Sequence, residues 1–239
     1  MTSPLAHAPV SAIVAHQLAL SEAAIVDHER RYERGRRVTS FWAMWDLRGS
    51  AGYRIATGDR NAYIRLEAFV GTARRILGVY SGVEVFKELG DAVLVRSDDL
   101  RALLETACVL ASLSNLWSVP RASSGPNLET RCAVTYGLAV ALDRPGAVDY
   151  VGSPLDRLAR LASLQSGQDP LMLLDSEAHD RDPRLLSEYS FLTVDGPHLL
   201  DPARLKPGEP PVRYFELAAD PTAMGNCRNL FQDLRTLSP

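Results

Sequence analysis

Two short valine-rich segments joined by a Gly-Asp turn constrain the fold of this chain more than any other feature. Four valines alternate with other residues on either side of the turn: Val83, Val85, Val93 and Val95. Alternating β-branched residues around Gly90 and Asp91 predict a β-hairpin over residues 83–96. Its tip carries Lys87 and Asp91, and such a pair of opposite charges is also typical of a solvated turn.

An upstream stretch places another carboxylate at a strand end. Residues 38–45 are almost continuously apolar, which predicts a central strand. Asp46 follows, just before a Gly49-Ser50 turn into a helix that we expect Ser50 to cap. Two carboxylates at the ends of neighbouring strands, Asp46 and Asp91, can share divalent metal ions.

The rest of the chain alternates between helical and extended patterns. Helices are predicted over residues 10–34, 62–77, 100–117, 154–164 and 176–182, with a small terminal helix over 226–237. Strands are predicted over 130–142, 148–152, 171–174 and 212–217, a loop over 120–127, and largely irregular chain from 191 to 211. This order predicts an α+β fold with a ferredoxin-like βαββαβ core and helices on one face of the sheet. We expect an N-terminal helix over residues 1–36, a main domain over 37–218 and a C-terminal tail over 219–239.

Composition argues against several classes of partner. The 239 residues carry a formal net charge of −3, which argues against nucleic-acid or anionic-membrane binding through bulk charge. No apolar run approaches the roughly 20 residues that cross a bilayer, and no signal-peptide pattern is present. Cys108, Cys132 and Cys227 are far apart without metal-site spacing, so we expect reduced thiols in a cytoplasmic protein.

Three motifs together resemble the class III nucleotidyl cyclases. They are Asp-Leu-Arg-Gly-Ser at 46–50, Lys-Glu-Leu-Gly-Asp at 87–91, and Asp-Tyr-Val-Gly-Ser-Pro-Leu-Asp-Arg-Leu-Ala-Arg at 149–160. They stand in the family's order, and the resemblance covers about residues 38–176. It implies that the main domain is a cyclase domain, which converts a nucleoside triphosphate into a 3′,5′-cyclic mononucleotide and pyrophosphate.

The resemblance also assigns roles to single residues. It implies that Asp46 and Asp91 are catalytic and hold two divalent cations, Mg²⁺ or Mn²⁺. Lys87 and Asp149 match the positions that grip the edge of the base. Arg160 matches an arginine that stabilises charge on the phosphates, a task for which its planar fork of donors is well suited. In the family these groups come from two subunits, which implies a head-to-tail homodimer with both active sites at the interface.

One position departs from the family's pattern. Asp156 stands where the family usually has an asparagine that orients the ribose. Either Asp156 binds the substrate in its place, or activity is reduced. Alternatively, Asp156 and Arg160 form an ordinary i,i+4 ion pair on a helix face.

Hydrogen bonding does not identify the base of the substrate, since adenine, cytosine and uracil can each pair with one donor, Lys87, beside one acceptor, Asp149. Pocket volume must separate them. We expect neither a sensor domain nor a membrane anchor, and such a chain looks like the stand-alone pyrimidine cyclases of bacterial anti-phage (Pycsar) systems. Those enzymes make cyclic UMP or cyclic CMP, which a separate effector reads. We favour that subtype over an adenylate cyclase making cyclic AMP; a catalytically weak nucleotide-binding homologue and a plain interaction domain are the alternatives from other classes.

Overall fold

Helices and strands alternate along the protein, for which a computed structural model describes residues 10–117, 129–144, 146–164, 171–205 and 208–220. The helices are α1 (Val10–Arg34), α2 (Ser50–Thr57), α3 (Asp59–Leu77), α4 (Leu100–Trp117), α5 (Ser153–Ala162), α6 (Ser176–Arg181) and α7 (Pro183–Glu188), with a 3₁₀ turn at Pro202–Arg204. The strands are β1 (Arg36–Leu47), β2 (Val83–Leu89), β3 (Ala92–Ser97), β4 (Thr130–Arg144), β5 (Ala147–Val151), β6 (Met172–Asp175), β7 (Leu192–Leu199) and β8 (Arg213–Ala219). The predicted loop over 120–127, the predicted helix over 226–237 and Cys227 lie outside the described residues.

One mixed sheet joins the strands in the order β2-β3-β1-β4-β6-β8-β7, and β5 pairs with β4. All described pairings are antiparallel except that of β4 with β6. The predicted hairpin is present as β2 and β3, and β1 lies centrally between β3 and β4. In the register of these three strands, Met44 stands opposite Leu94 on one side and Ala133 on the other.

Helices cover both faces of the sheet, which corrects the prediction that they lie on one face. Phe41 and Trp45 of β1 pack in a buried cluster with residues of α3 and α4. Trp42 points to the opposite face and packs in a second cluster with Leu158 and Leu161 of α5. The physical reason is that β1 is apolar on both sides, so each side needs its own cover.

The segment that was predicted to be largely irregular contains another strand. β7 pairs antiparallel with β8, and its register shifts between Asp195 and His198, where Gly196 and Pro197 stand. Proline cannot donate a backbone hydrogen bond to a neighbouring strand, and glycine weakens a strand. This edge strand therefore lacks the alternation of apolar and polar residues by which a strand is predicted. Among the described residues, no helix has both the length and the apolarity to cross a bilayer.

The start of α2 also differs from the prediction. Gly49, not Ser50, is the N-cap residue, and its φ of 62° lies in the left-handed region that glycine adopts readily. No side chain caps the helix. The Ser50 hydroxyl donates instead to the carboxylate of Asp91.

A buried carboxylate ties α5 and α6 to the sheet. Asp175 accepts a hydrogen bond from the Ala178 N–H at 2.8 Å and from Arg157 Nε at 3.0 Å. Arg157 also donates to the carbonyl oxygen of Tyr136 at 2.8 Å. Burial raises the pKa of Asp175 to about 6, although its bonds to Ala178 and Arg157 oppose that rise. The folded state therefore holds this proton more tightly than the unfolded chain does.

We expect the contribution of Asp175 to stability to fall as the pH rises from about 4 to about 6. Below its unfolded pKa of 3.8 the group is protonated in both states, and above the folded pKa of about 6 a charged carboxylate must stay buried. The shift corresponds to about 3 kcal/mol in the free energy of unfolding. Asp175→Asn keeps a helix-capping side chain without the charge. Urea unfolding of both proteins at pH 4 to 7 should give a difference that grows with pH in favour of the variant; a constant difference would contradict this expectation.

Candidate active site

Asp46 and Asp91 lie at the same end of the sheet. Asp46 stands opposite Ala92 in the pairing of β1 with β3, and the Leu47 N–H donates to the carbonyl oxygen of Asp91 at 3.0 Å. Burial, and then the negative charge of Asp91, raises the pKa of Asp46, while Arg131 opposes the rise. The two carboxylates are therefore close enough to repel each other.

Each of these carboxylates has a partner in the same chain. Arg131 stands opposite Asp46 in the register of β1 and β4, and its Nη2 donates to Asp46 Oδ2 at 2.7 Å. Ser50 donates to Asp91 Oδ2. Arg131 was not predicted from the sequence, because its approach to Asp46 depends on the pairing of strands that are far apart in the chain.

A buried arginine supports the turn that follows Asp46. Arg65 of α3 donates from Nη2 to the carbonyl oxygen of Arg48 at 2.6 Å, and its guanidinium lies 4.7 Å from the ring centroid of Tyr53. Burial lowers the pKa of Arg65, against the opposing charges of Tyr53, Glu129 and Asp91. Its positive charge thus lies close enough to Asp91 to attract that carboxylate.

The carboxylate pair fits a hard divalent cation. Carboxylate oxygens are the ligands that Mg²⁺ and Mn²⁺ prefer, and a cation would relieve the repulsion from Asp91 that, after burial, raises the pKa of Asp46. In the described part of the chain, no group of three or more His, Cys, Asp or Glu side chains forms a metal cluster. A cation here would therefore take further ligands from backbone, water or substrate phosphates, as Mg²⁺ commonly does.

Lys87 and Asp149 lie side by side. Lys87 Nζ is 3.0 and 3.1 Å from the two carboxylate oxygens of Asp149. This contact joins β2, which carries Lys87, to β5, which carries Asp149. Arg144 Nη2 lies 3.2 Å from Asp149 Oδ2 and adds a second cation that the sequence analysis missed. A hydrogen-bond donor and an acceptor are thus presented next to each other.

Three aromatic rings pack next to this pair. The ring centroids of Trp42 and Phe86 each lie 4.9 Å from that of Tyr150. Trp42 Nε1 donates to the carbonyl oxygen of Gly137 at 3.0 Å, and the Tyr150 hydroxyl lies 3.1 Å from a carboxylate oxygen of Glu84. Phe86 and Tyr150 are the chain neighbours of Lys87 and Asp149, so the packing of these rings holds the backbone that carries both polar residues.

Arg160 faces the C-terminal part of the chain. Its Nη2 donates to Glu209 Oε1 at 2.5 Å, and its Nη1 donates to the carbonyl oxygen of Arg204. Asp156 is exposed on α5, and the structure gives it no ion pair with Arg160. The alternative of an i,i+4 pair is therefore wrong, because Arg160 turns toward the segment that packs on α5 and Asp156 points to solvent.

The six residues singled out from the sequence fall into separate groups. Within the described residues, no hydrogen bond or ion pair joins the Asp46–Asp91 pair to Lys87, Asp149 or Arg160. No described hydrogen bond or ion pair joins Asp156 to any of them. A single chain thus presents a carboxylate pair, a Lys–Asp pair and an arginine at distinct places.

Comparison with solved structures identifies the fold. A bacterial light-regulated adenylyl cyclase matches with a TM-score of 0.63 and 14% identity, over 83% of this chain and 99% of that one. The adenylyl cyclase CyaB from P. aeruginosa matches with a TM-score of 0.62 and 15% identity, over 78% of this chain and 97% of that one. The guanylyl cyclase Cya2 matches with a TM-score of 0.59 and 15% identity, over 78% and 95%. No protein-family model and no curated protein sequence matches the chain. The predicted α+β fold is confirmed: this chain has the fold of the class III adenylyl and guanylyl cyclase catalytic domains.

Proposed function

We propose that this protein is a nucleotidyl cyclase that converts a nucleoside triphosphate into a 3′,5′-cyclic mononucleotide and pyrophosphate. The observation that carries the proposal is the approach of Asp46 and Asp91 at one end of the sheet, within a fold shared with adenylyl and guanylyl cyclases. In this reaction the ribose 3′-oxygen bonds to the α-phosphorus, the bond to the β-phosphate oxygen breaks, and the 3′-hydroxyl proton is released.

Asp46 and Asp91 would hold the metal ions. When bound, two Mg²⁺ or Mn²⁺ ions lower the pKa of the attacking hydroxyl and neutralise phosphate charge. Arg160 would donate hydrogen bonds to phosphate oxygens, where negative charge develops as pyrophosphate leaves. Asp156 would accept a hydrogen bond from a ribose hydroxyl in place of the family's asparagine.

Lys87 and Asp149 would bind the edge of the base. The lysine ammonium donates to a ring or carbonyl acceptor, and the aspartate accepts from an amino or imide N–H. Their contact at 3.0 Å orients both groups before substrate binds.

A second copy of the chain would complete each active site. Among the described residues, no hydrogen bond or ion pair joins the three functional groups of one chain, which supports a head-to-tail homodimer with the metal-binding half from one copy and the remaining residues from the other. Helix α1 supports the same assembly: four apolar side chains on one of its sides are exposed, namely Val14, Leu18, Ile25 and Tyr32. Their spacing of four and seven residues places them on one side of the helix, and a lone helix gains little stability without packing.

The substrate that we favour is a pyrimidine nucleotide, UTP or CTP. Arg144 shares the carboxylate of Asp149, which adds another hydrogen-bond donor beside the Lys87–Asp149 pair. The cyclic pyrimidine mononucleotide would act as a signal in anti-phage defence, read by a separate effector. An adenylate cyclase is the second candidate, since adenylyl cyclases are among the proteins that share the fold. The exposed Asp156 favours the third, a catalytically weak nucleotide-binding homologue.

The experiment is incubation of the purified protein with Mn²⁺ and each of ATP, GTP, CTP and UTP in turn, followed by mass spectrometry. We expect pyrophosphate and one cyclic product, cyclic UMP or cyclic CMP, and no product when EDTA replaces Mn²⁺. Cyclic AMP as the product would keep the cyclase and replace the pyrimidine assignment. Nucleotide binding without turnover would support the weak homologue, and neither binding nor turnover would contradict the proposed function.

A further inference from the structure

Residues 200–205 and 208–212, called the loop below, lie at the C-terminal end of α5. Its two end residues, Leu200 and Val212, are buried in the same cluster as Leu158 and Leu161 of α5. The Leu200 N–H donates to the carbonyl oxygen of Val212 at 2.9 Å, which joins the two ends. The loop is therefore anchored to the domain at both ends.

The interior of the loop is also attached to α5. Leu205 packs against the same buried cluster, and Arg204 Nη1 donates to the carbonyl oxygen of Ser163 at 3.3 Å. That carbonyl lies at the end of α5, where a positive charge is favourable to the helix dipole. These contacts explain why the loop presents its polar atoms at one fixed place.

The loop presents two oxygens to Arg160, the Glu209 carboxylate and the Arg204 carbonyl. They accept hydrogen bonds from Nη2 and Nη1, the two terminal nitrogens of the guanidinium, to which a phosphate would also bind. The side chains of Arg160 and Glu209 are only 17% and 27% exposed, so solvent weakens their attraction less than at an open surface. The positive charge of Arg160 is thus neutralised by this chain's own carboxylate.

We infer that the Glu209 carboxylate occupies the place on Arg160 that a substrate phosphate must take, so the loop competes with nucleotide binding. The inference rests on the proposed role of Arg160 as the phosphate-binding arginine. One anion exchanges for another on the same guanidinium, and no covalent bond changes. Glu209 therefore raises the KM for the nucleotide and leaves the chemical step to the residues already described.

Glu209→Gln tests this inference, because glutamine keeps the size and one acceptor oxygen but removes the charge. Isothermal titration with inorganic tripolyphosphate should give a Kd about tenfold lower in the variant than in the wild type. The KM for the nucleotide should fall to a similar extent, with kcat changed by less than about twofold. In an Arg160→Gln background the same substitution should have no effect on tripolyphosphate affinity, since the shared contact is gone.

A matched control is Glu188→Gln, which removes the carboxylate from another Arg–Glu contact of 2.5 Å, with Arg101 at the surface. We expect it to leave the tripolyphosphate Kd unchanged. Unchanged or weaker affinity in Glu209→Gln, or no tripolyphosphate binding by either protein, would overturn the inference. Because this titration needs no turnover, tighter binding by the variant would uphold the inference even if no nucleoside triphosphate were cyclised, and only the proposed reaction would then fail.

Discussion

Replacement of Asp46 or Asp91 by asparagine is expected to lower kcat by at least about a thousandfold. Asparagine keeps the shape of the side chain and one oxygen, but it removes the negative charge that a divalent cation requires. Both variants should also bind Mn²⁺ more weakly, which calorimetry can measure without substrate. The two measurements together distinguish loss of the metal site from a general loss of activity.

The fold should survive either substitution. Asp46 loses its ion pair with Arg131, but the repulsion from Asp91 that raises its pKa is removed at the same time. We therefore expect the free energy of unfolding to change by about 1 kcal/mol or less. Asp59→Asn is the matched control, because its side chain is 95% exposed at the start of α3. It should keep wild-type activity, and full activity in Asp46→Asn or Asp91→Asn would show that these carboxylates do not bind the catalytic metal.

Local sequence signals predicted much of the fold. The helix over residues 10–34 and the helix over residues 100–117 are α1 and α4 with the same bounds, because each is a long segment free of glycine and proline. The apolar run before Asp46 predicted a central strand, and β1 indeed lies between β3 and β4. These features depend on residues that are neighbours in the chain.

Features that depend on distant residues were missed. β7 is a strand because β8 pairs with it, and Gly196 and Pro197 hide its pattern in the sequence. Helix α5 covers the second face of the sheet because Trp42 lies there, which the order of elements does not reveal.

The candidate site shows the same division. The meeting of Asp46 and Asp91 followed from two strand ends, each visible in the sequence. The partners Arg131 and Glu209 could not be predicted, since one depends on the register of β1 and β4 and the other on a loop that returns to α5. The exposed position of Asp156 corrected the alternative in which it pairs with Arg160. Tertiary packing decided each of these contacts.

A heterodimer of two inactive variants is expected to regain activity. Arg160→Ala should be nearly inactive by itself, since it removes the charge that stabilises the leaving phosphates. If one copy supplies the metal-binding half and the other supplies Arg160, pairing Asp46→Asn with Arg160→Ala leaves one of the two active sites intact. The other site carries both substitutions, so the intact site contains neither of them and should keep its full activity. Two different affinity tags on co-expressed chains allow the heterodimer to be isolated.

The most direct measurement of the shared active site is the rate of cyclic nucleotide formation by this heterodimer. We expect about half of the wild-type rate per dimer, while each variant homodimer stays near background. The control is a heterodimer of Asp46→Asn with Asp91→Asn, which has a defect in the metal-binding half of both copies and should stay inactive. A background rate for the dimer of Asp46→Asn with Arg160→Ala would contradict the proposal that two copies build each site between them.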